Sequence, residues 1–151
     1  MTHLSVRQAS LVDLDALAPL FDAYRQFYAQ PADLNGARQF LLDRLNRSDS
    51  VIYLACQDGV PVGFTQLYPS FSSVSMARIW ILNDLFVSEL GRQKGVAKAL
   101  ISTATVYGRT AGAVRLTLST AITNVPAQNL YQAIGWKRDE QFFYYHYALA
   151  V

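Results

Sequence analysis

The 151-residue chain is 52% hydrophobic and 13% aromatic, which excludes a disordered segment and supplies the core of one domain, expected to span 1–151. Its 13 Lys and Arg against 11 Asp and Glu leave a net charge of +2, so no nucleic-acid partner is expected. One cysteine, Cys56, rules out an internal disulfide, and with only His3 and His146 beside it no metal site is expected.

The opening "MTHLSVRQASLVDLD" has no basic stretch leading into an apolar one. No run nears the roughly 18 apolar residues of a membrane span, so a cytoplasmic protein without a membrane partner is expected. "LSVRQ" alternates like a short strand. Leu14, Leu17, Leu20, Phe21, Tyr24 and Phe27 then follow at helical spacing, with Ser10 or Asp13 able to cap the helix and Pro19 able to kink it. "PADLNG" interrupts, and "ARQFLLDRLNR" predicts a second helix ending near Arg47. "VIYLACQ" and "VPVGFTQLY", joined by Asp58-Gly59, predict a hairpin in which Cys56 is a buried small residue rather than a nucleophile.

"SFSSVS" reads as a loop and "ARIWILNDLFV" as a long strand. A helix follows through Leu100, Ala104 and Tyr107 and stops at Gly112, and "VRLTLST" alternates as another strand. "VPAQNLYQAIG" predicts a short helix with Pro126 in its first turn and Gly135 just past its end. "WKRDEQFFYYHYAL" predicts one or two closing strands. The order β-α-α-β-β-β-α-β-α-β describes a mixed α/β domain.

One stretch calls for a ligand. Between the long strand and its helix, "FVSELGRQKGVAKALI" crowds Gly91, Arg92, Lys94 and Gly95 into a turn. A helix N-terminus offers unpaired N–H groups and partial positive charge, and so binds anionic phosphate. Gly95 allows close backbone approach, and Arg92 supplies a fork matched to phosphate oxygens. No G-x-x-x-x-G-K-[ST] and no G-x-G-x-x-G occurs, so neither an NTPase loop nor a dinucleotide fingerprint explains the turn.

Arg92-Gln93-Lys94-Gly95-Val96-Ala97 resembles the acetyl-coenzyme A signature R-x-x-G-x-G/A of the GNAT superfamily of N-acetyltransferases. "NVPAQNLYQAIGW" is similar to that superfamily's N-x-x-A-x-x-L-Y-x-x-x-G-F, matching at Asn124, Ala127, Leu130, Tyr131 and Gly135, with Trp136 for Phe. The resemblance implies a mostly antiparallel central sheet flanked by helices and splayed around the coenzyme-binding strand. It also implies acetyl-CoA as donor and direct attack by a primary amine in a ternary complex. Leu85, Phe86 and Val87 would face the pantetheine arm, with the Val87 N–H as oxyanion donor. Amides of Gln93, Lys94, Gly95, Val96 and Ala97, with Arg92, would hold the pyrophosphate. Asn124, with Ala127, would fix the pantetheine arm, and Tyr131 would protonate the departing thiolate.

"WILNDLFV", with the loop "QLYPSFSS", resembles the polyamine and histone acetyltransferase-like branch, which implies a small amine, polyamine, amino acid or peptide amine as acceptor. It also resembles the diamine acetyltransferase branch, where an acidic pair precedes the apolar residues of this strand. Asn83 departs from that pattern and cannot act as a base, whereas Asp84 keeps a carboxylate that could bind a cationic amine or relay its proton through water. Aromatics beside a carboxylate suit an ammonium group. Tyr24, Tyr28 and Asp33 from the first helical region, and Tyr68 and Phe71 from "QLYPSFSS", are therefore the candidate substrate residues with Asn83 and Asp84. The tail "FFYYHYAL" is too apolar for a free end, and a homodimer contact is expected there. The alternative is a non-catalytic acyl-CoA-binding sensor or assembly module. Retention of both Asn124 and Tyr131 favours the enzyme, since a pure binder needs no thiol-protonating phenol.

Overall fold

The computed structural model describes residues 3–150; Met1, Thr2 and Val151, included in the expected single domain, lie outside the described residues. It forms two compact units divided between Ser119 and Thr120. The first contains five strands and three of the four α-helices: β1 (Leu4–Gln8), α1 (Leu14–Phe27), α2 (Leu34–Arg47), β2 (Val51–Gln57), β3 (Val60–Ser72), β4 (Ala77–Val87), α3 (Val96–Thr110) and β5 (Leu116–Thr117). Its sheet has the order β1-β2-β3-β4-β5, antiparallel throughout except for the parallel β4–β5 pair.

The helices cover both faces of this sheet. Leu17, Phe21 and Leu41 of α1 and α2 pack on Ile52, Leu54 and Phe64. Tyr53, which points the other way along β2, meets Tyr107 of α3 at 6.1 Å between ring centroids. β2 is therefore buried at successive positions rather than alternate ones. At the hairpin, Asp58 and Gly59 both take positive φ, 50° and 81°, as a two-residue turn between twisted strands requires.

A 3-10 turn, Leu11–Asp13, precedes α1 and makes the cap: Asp13 accepts the Ser10 N–H at 2.9 Å and hydrogen bonds from Arg7 Nη2 and Nη1 at 2.6 and 2.9 Å. α2 begins earlier than its apolar pattern indicates, because Asp33 accepts the Gly36 N–H at 2.9 Å and so caps it. "SFSSVS" is not wholly a loop: β3 runs through Pro69 to Ser72 against β4, and the turn lies beyond it.

The second unit, described from Thr120 to residue 150, contains α4 (Val125–Ala133), capped by Asn124 and carrying Pro126 in its first turn. The strands expected from "WKRDEQFFYYHYAL" are not formed: residues 136–150 have no regular structure, and Phe142, Phe143, Tyr144, Tyr145 and Tyr147 are exposed. Strand backbone groups need a paired neighbour. Among the described residues this unit contains no strand to provide one.

Candidate active site

β4 shapes one side of the site. It pairs with β5 only at Trp80↔Leu116 and Ile81↔Thr117. Along 82–87, therefore, the edge facing away from β3 has no strand partner among the described residues. This is the splay expected around the coenzyme strand. The chain then passes through a 3-10 turn, Glu89–Gly91, and residues 92–95 into α3. Gln93 and Gly95 both have positive φ, 60° and 76°. A Cβ built on Gly95 meets nothing within 4 Å, so the space outside this residue is open. The first helical bond joins the Ala99 N–H to the Gly95 carbonyl at 3.0 Å. The amides of Val96, Ala97 and Lys98 thus belong to the helix start, where no i−4 carbonyl serves them. The cations brace the turn: Arg92 Nε donates to the Val87 carbonyl at 3.2 Å, and Lys94 Nζ to the Leu90 carbonyl at 3.0 Å.

Gly91, which the sequence groups with Gly95, serves packing instead. It is buried, and a Cβ there would stand 2.9 Å from Val62 Cβ and 3.0 Å from Val87 Cγ1.

The other side centres on Asp84, only 2% exposed. Gln66 Nε2 donates to its Oδ2 at 2.6 Å, and Asn83 Nδ2 to its Oδ1 at 2.7 Å. Burial lifts the carboxyl above the usual carboxylate range, against the opposing pull of hydrogen bonds from Asn83, Gln66 and Tyr24. The Tyr24 hydroxyl also donates to the Asn83 carbonyl at 3.2 Å, and its ring meets Tyr28, Phe64 and Phe86 edge-on at 5.2, 5.8 and 6.3 Å. Burial, and after it the Asp84 charge, push both the Tyr24 and Tyr68 phenols upward, so both are neutral donors at pH 7. The result is a set of aromatic rings beside one buried, hydrogen-bonded carboxyl group.

The model of the acetyltransferase (GNAT) family matches residues 15–136. The chain belongs to that family. It is an enzyme, an acyltransferase, and as a GNAT protein it transfers acetyl groups to an amine acceptor. The "Uncharacterized N-acetyltransferase YhfO" of Bacillus subtilis (strain 168) is 49% identical over 94% of this chain and 95% of its own length. A crystal structure of a probable acetyltransferase superposes with a TM-score of 0.92 at 44% identity, covering 97% of this chain and 99% of that one. Aminoglycoside N-acetyltransferase AAC(6')-Iy in complex with CoA has the same fold, with a TM-score of 0.81 at 23% identity over 97% of this chain and 96% of its own. None of these three names a polyamine or a histone.

Of the residues singled out in the sequence, the fold brings Tyr24, Tyr28, Asn83, Asp84 and Phe86 together, and Tyr68 lies close enough to feel the Asp84 charge. Phe71 is three residues further along β3, stacked beneath the Arg78 guanidinium at 4.1 Å. Asp33 is engaged as the α2 cap. Leu85, Phe86, Val87, Arg92, Gln93, Lys94, Gly95, Val96 and Ala97 form the continuous strand-turn-helix segment. Asn124, Ala127 and Tyr131 are in the second unit, where Asn124 Oδ1 accepts the Ala127 N–H at 3.2 Å and the Tyr131 ring meets Trp136 at 6.2 Å. The sequence reading missed Ser50, Thr65 and Gln66. The available signal was the polar pair Thr65-Gln66 inside the apolar strand "VGFTQLY". No group of three or more His, Cys, Asp or Glu able to hold a metal occurs among the described residues, and no helix among them is long and apolar enough to cross a membrane.

Proposed function

We propose that this GNAT enzyme takes its acetyl group from acetyl-CoA and passes it directly to a small primary amine, of the diamine or polyamine kind, in a ternary complex. One observation carries the donor half. β5 leaves β4 after two residue pairs, and the open edge 82–87 leads into a cationic turn and helix start with free space outside Gly95. That combination fits an extended thioester arm ending in a pyrophosphate. Amides 93–97 with Arg92 hold the diphosphate, while Leu85, Phe86 and Val87 align the pantetheine arm and thioester, the Val87 N–H receiving the developing oxyanion. Asn124 and Ala127 serve the pantetheine arm, and Tyr131 gives the leaving thiolate its proton.

The acceptor half rests on Asp84 and the aromatics beside it. An ammonium group is drawn to that field and must lose a proton before it attacks, since an alkylamine has a pKa near ~10. Because Asp84 is only 2% exposed, it acts on the amine through Asn83, Tyr24 and ordered water rather than by direct contact. The enzyme is proposed to act in the cytoplasm as a homodimer whose expected contact is the exposed aromatic tail. A panel of diamines, polyamines, aminoglycosides, amino acids and peptide amines, read by release of coenzyme A thiol, tests the proposal. Turnover confined to small amines supports it. Tight acetyl-CoA binding without turnover of any amine would instead favour an acyl-CoA sensor.

A further inference from the structure

β3 and β4 slip register once, between Gln66↔Asp84 and Leu67↔Leu82, which leaves Asn83 as an extra residue with no partner across the strands. This bulge decides which face the rest of β4 presents. Trp80, ahead of the slip, packs on Tyr107 of α3, while Phe86, beyond it, packs on Tyr24 of α1. Residues 80 and 86 are both even, so uninterrupted alternation would put them on one face. The single inserted residue reverses that, because side chains alternate with a period of two. It also puts Asp84 on the α1 side, and it sets the orientation of Leu85, Phe86 and Val87.

An unpaired residue in a ladder has to be held, and here side chains hold it. Gln66 Nε2 donates to Asp84 Oδ2 at 2.6 Å, and Thr65 Oγ1 donates to the Asp84 backbone carbonyl at 2.7 Å. Tyr24 Oη donates to the Asn83 carbonyl at 3.2 Å. Ser50 Oγ donates to Gln66 Oε1 at 2.9 Å and so fixes which end of the Gln66 amide meets the carboxylate. Thr65 and Gln66 are fully buried, at 0% exposure, in a strand where apolar side chains would avoid the desolvation cost of an amide.

We propose that Gln66, oriented by Ser50, is a positioning residue for acetyl transfer: it clamps Asp84 and the Asn83 bulge, and thereby fixes the face that 85–87 present to the thioester. The inference rests on the acetyl-transfer reading above. The pyrophosphate turn lies beyond the clamped segment and begins its own helix, so the clamp governs chemistry more than coenzyme affinity.

Gln66→Met tests it, keeping the chain length and removing the amide. The acceptor kcat/KM is expected to fall on the order of 10²-fold, the scale of a misplaced reacting group, with the acetyl-CoA Kd within about threefold of wild type. The acid limb of the kcat/KM profile should move to higher pH, because Asp84 loses a donor that favours its charged form. The other groups facing Asp84 are unchanged in the variant: Tyr24 from α1, Asn83 on β4, and Tyr68 on β3 with Arg44 and Asp49 beyond it. Carbon-13 NMR of the Asp84 carboxyl should show the same upward shift without any turnover. A folded Gln66→Met protein with a lower Tm but wild-type kcat/KM, pH profile and carboxyl titration would overturn the proposal. If Gln66→Met does not fold, Ser50→Ala decides by the same readouts, with a shift of the same sign and smaller size expected and unchanged behaviour counting against. If wild type binds acetyl-CoA yet acetylates no amine, the proposed function fails. The carboxyl titration then still decides whether Gln66 governs Asp84.

Discussion

Replacing Gly95 by valine separates backbone strain from ligand exclusion. At φ 76° a side chain enters the left-handed region, which costs about 1–2 kcal/mol for an L-residue. In a chain of this size that corresponds to a Tm loss of roughly 2–8 °C. Apart from the adjoining residues, no protein atom lies within 4 Å of an added Cβ, so the side chain starts into open space. Any loss of coenzyme affinity must then come from what normally occupies that space. If it is the pyrophosphate, Kd for acetyl-CoA should rise well beyond tenfold, a loss of more than about 1.4 kcal/mol. Gly112 provides the matched control: its φ is also 76°, a Cβ there also meets nothing within 4 Å, and it terminates α3 far along the chain from the turn. Calorimetry on Gly95→Val and Gly112→Val should show similar losses of Tm, with weakened acetyl-CoA binding in the first alone. Near-normal affinity in Gly95→Val, or equal weakening in both, would refute the pyrophosphate assignment.

Asp84→Asn should raise the acceptor KM by about tenfold or more while acetyl-CoA affinity changes little, and steady-state kinetics with unchanged acceptor parameters would make Asp84 structural. Tyr131→Phe should keep coenzyme affinity and lower kcat on the order of 10²-fold, with single-turnover measurement removing any masking by product release. Asp13→Asn should destabilise the fold at pH 7, because the amide can still accept the Ser10 N–H but loses the charged, two-pronged contact with Arg7. The hydrogen-bonded Arg7 fork holds the Asp13 carboxyl below its ordinary range. Its stabilisation is therefore complete above the unfolded pKa near ~4 and fades as pH falls through the folded value, so urea titrations of variant and wild type should converge in acid.

Much of the fold was legible because local signals agreed with tertiary ones. Leu14, Leu17 and Phe21 keep helical spacing and are all buried on the sheet, and Asp58-Gly59 turns the hairpin as its type predicts. Where the reading failed, the cause lay in long-range pairing. Pro69 and Ser70 look like loop residues, yet β3 continues through them because β4 is there to pair with. The tail aromatics alternate as a strand would, yet backbone pairing depends on a neighbour that their own sequence cannot specify. The proposed donor side draws on contiguous motifs, with the exception that Gly91 serves packing. The acceptor side was only partly legible, because simple alternation from Trp80 would send Asp84 to the α3 face. The Asn83 bulge that sends it to Tyr24 emerges only from the register of two strands.

The central claim is direct transfer from acetyl-CoA to an amine, and a single turnover with enzyme in excess over isotopically labelled acetyl-CoA tests it most directly. With a small amine present, the account predicts that label passes to the acceptor nitrogen in one phase, without an acetylated protein intermediate and with one coenzyme A thiol released per label transferred. Label appearing first on the protein, or remaining on coenzyme A in the presence of every amine tried, would contradict it.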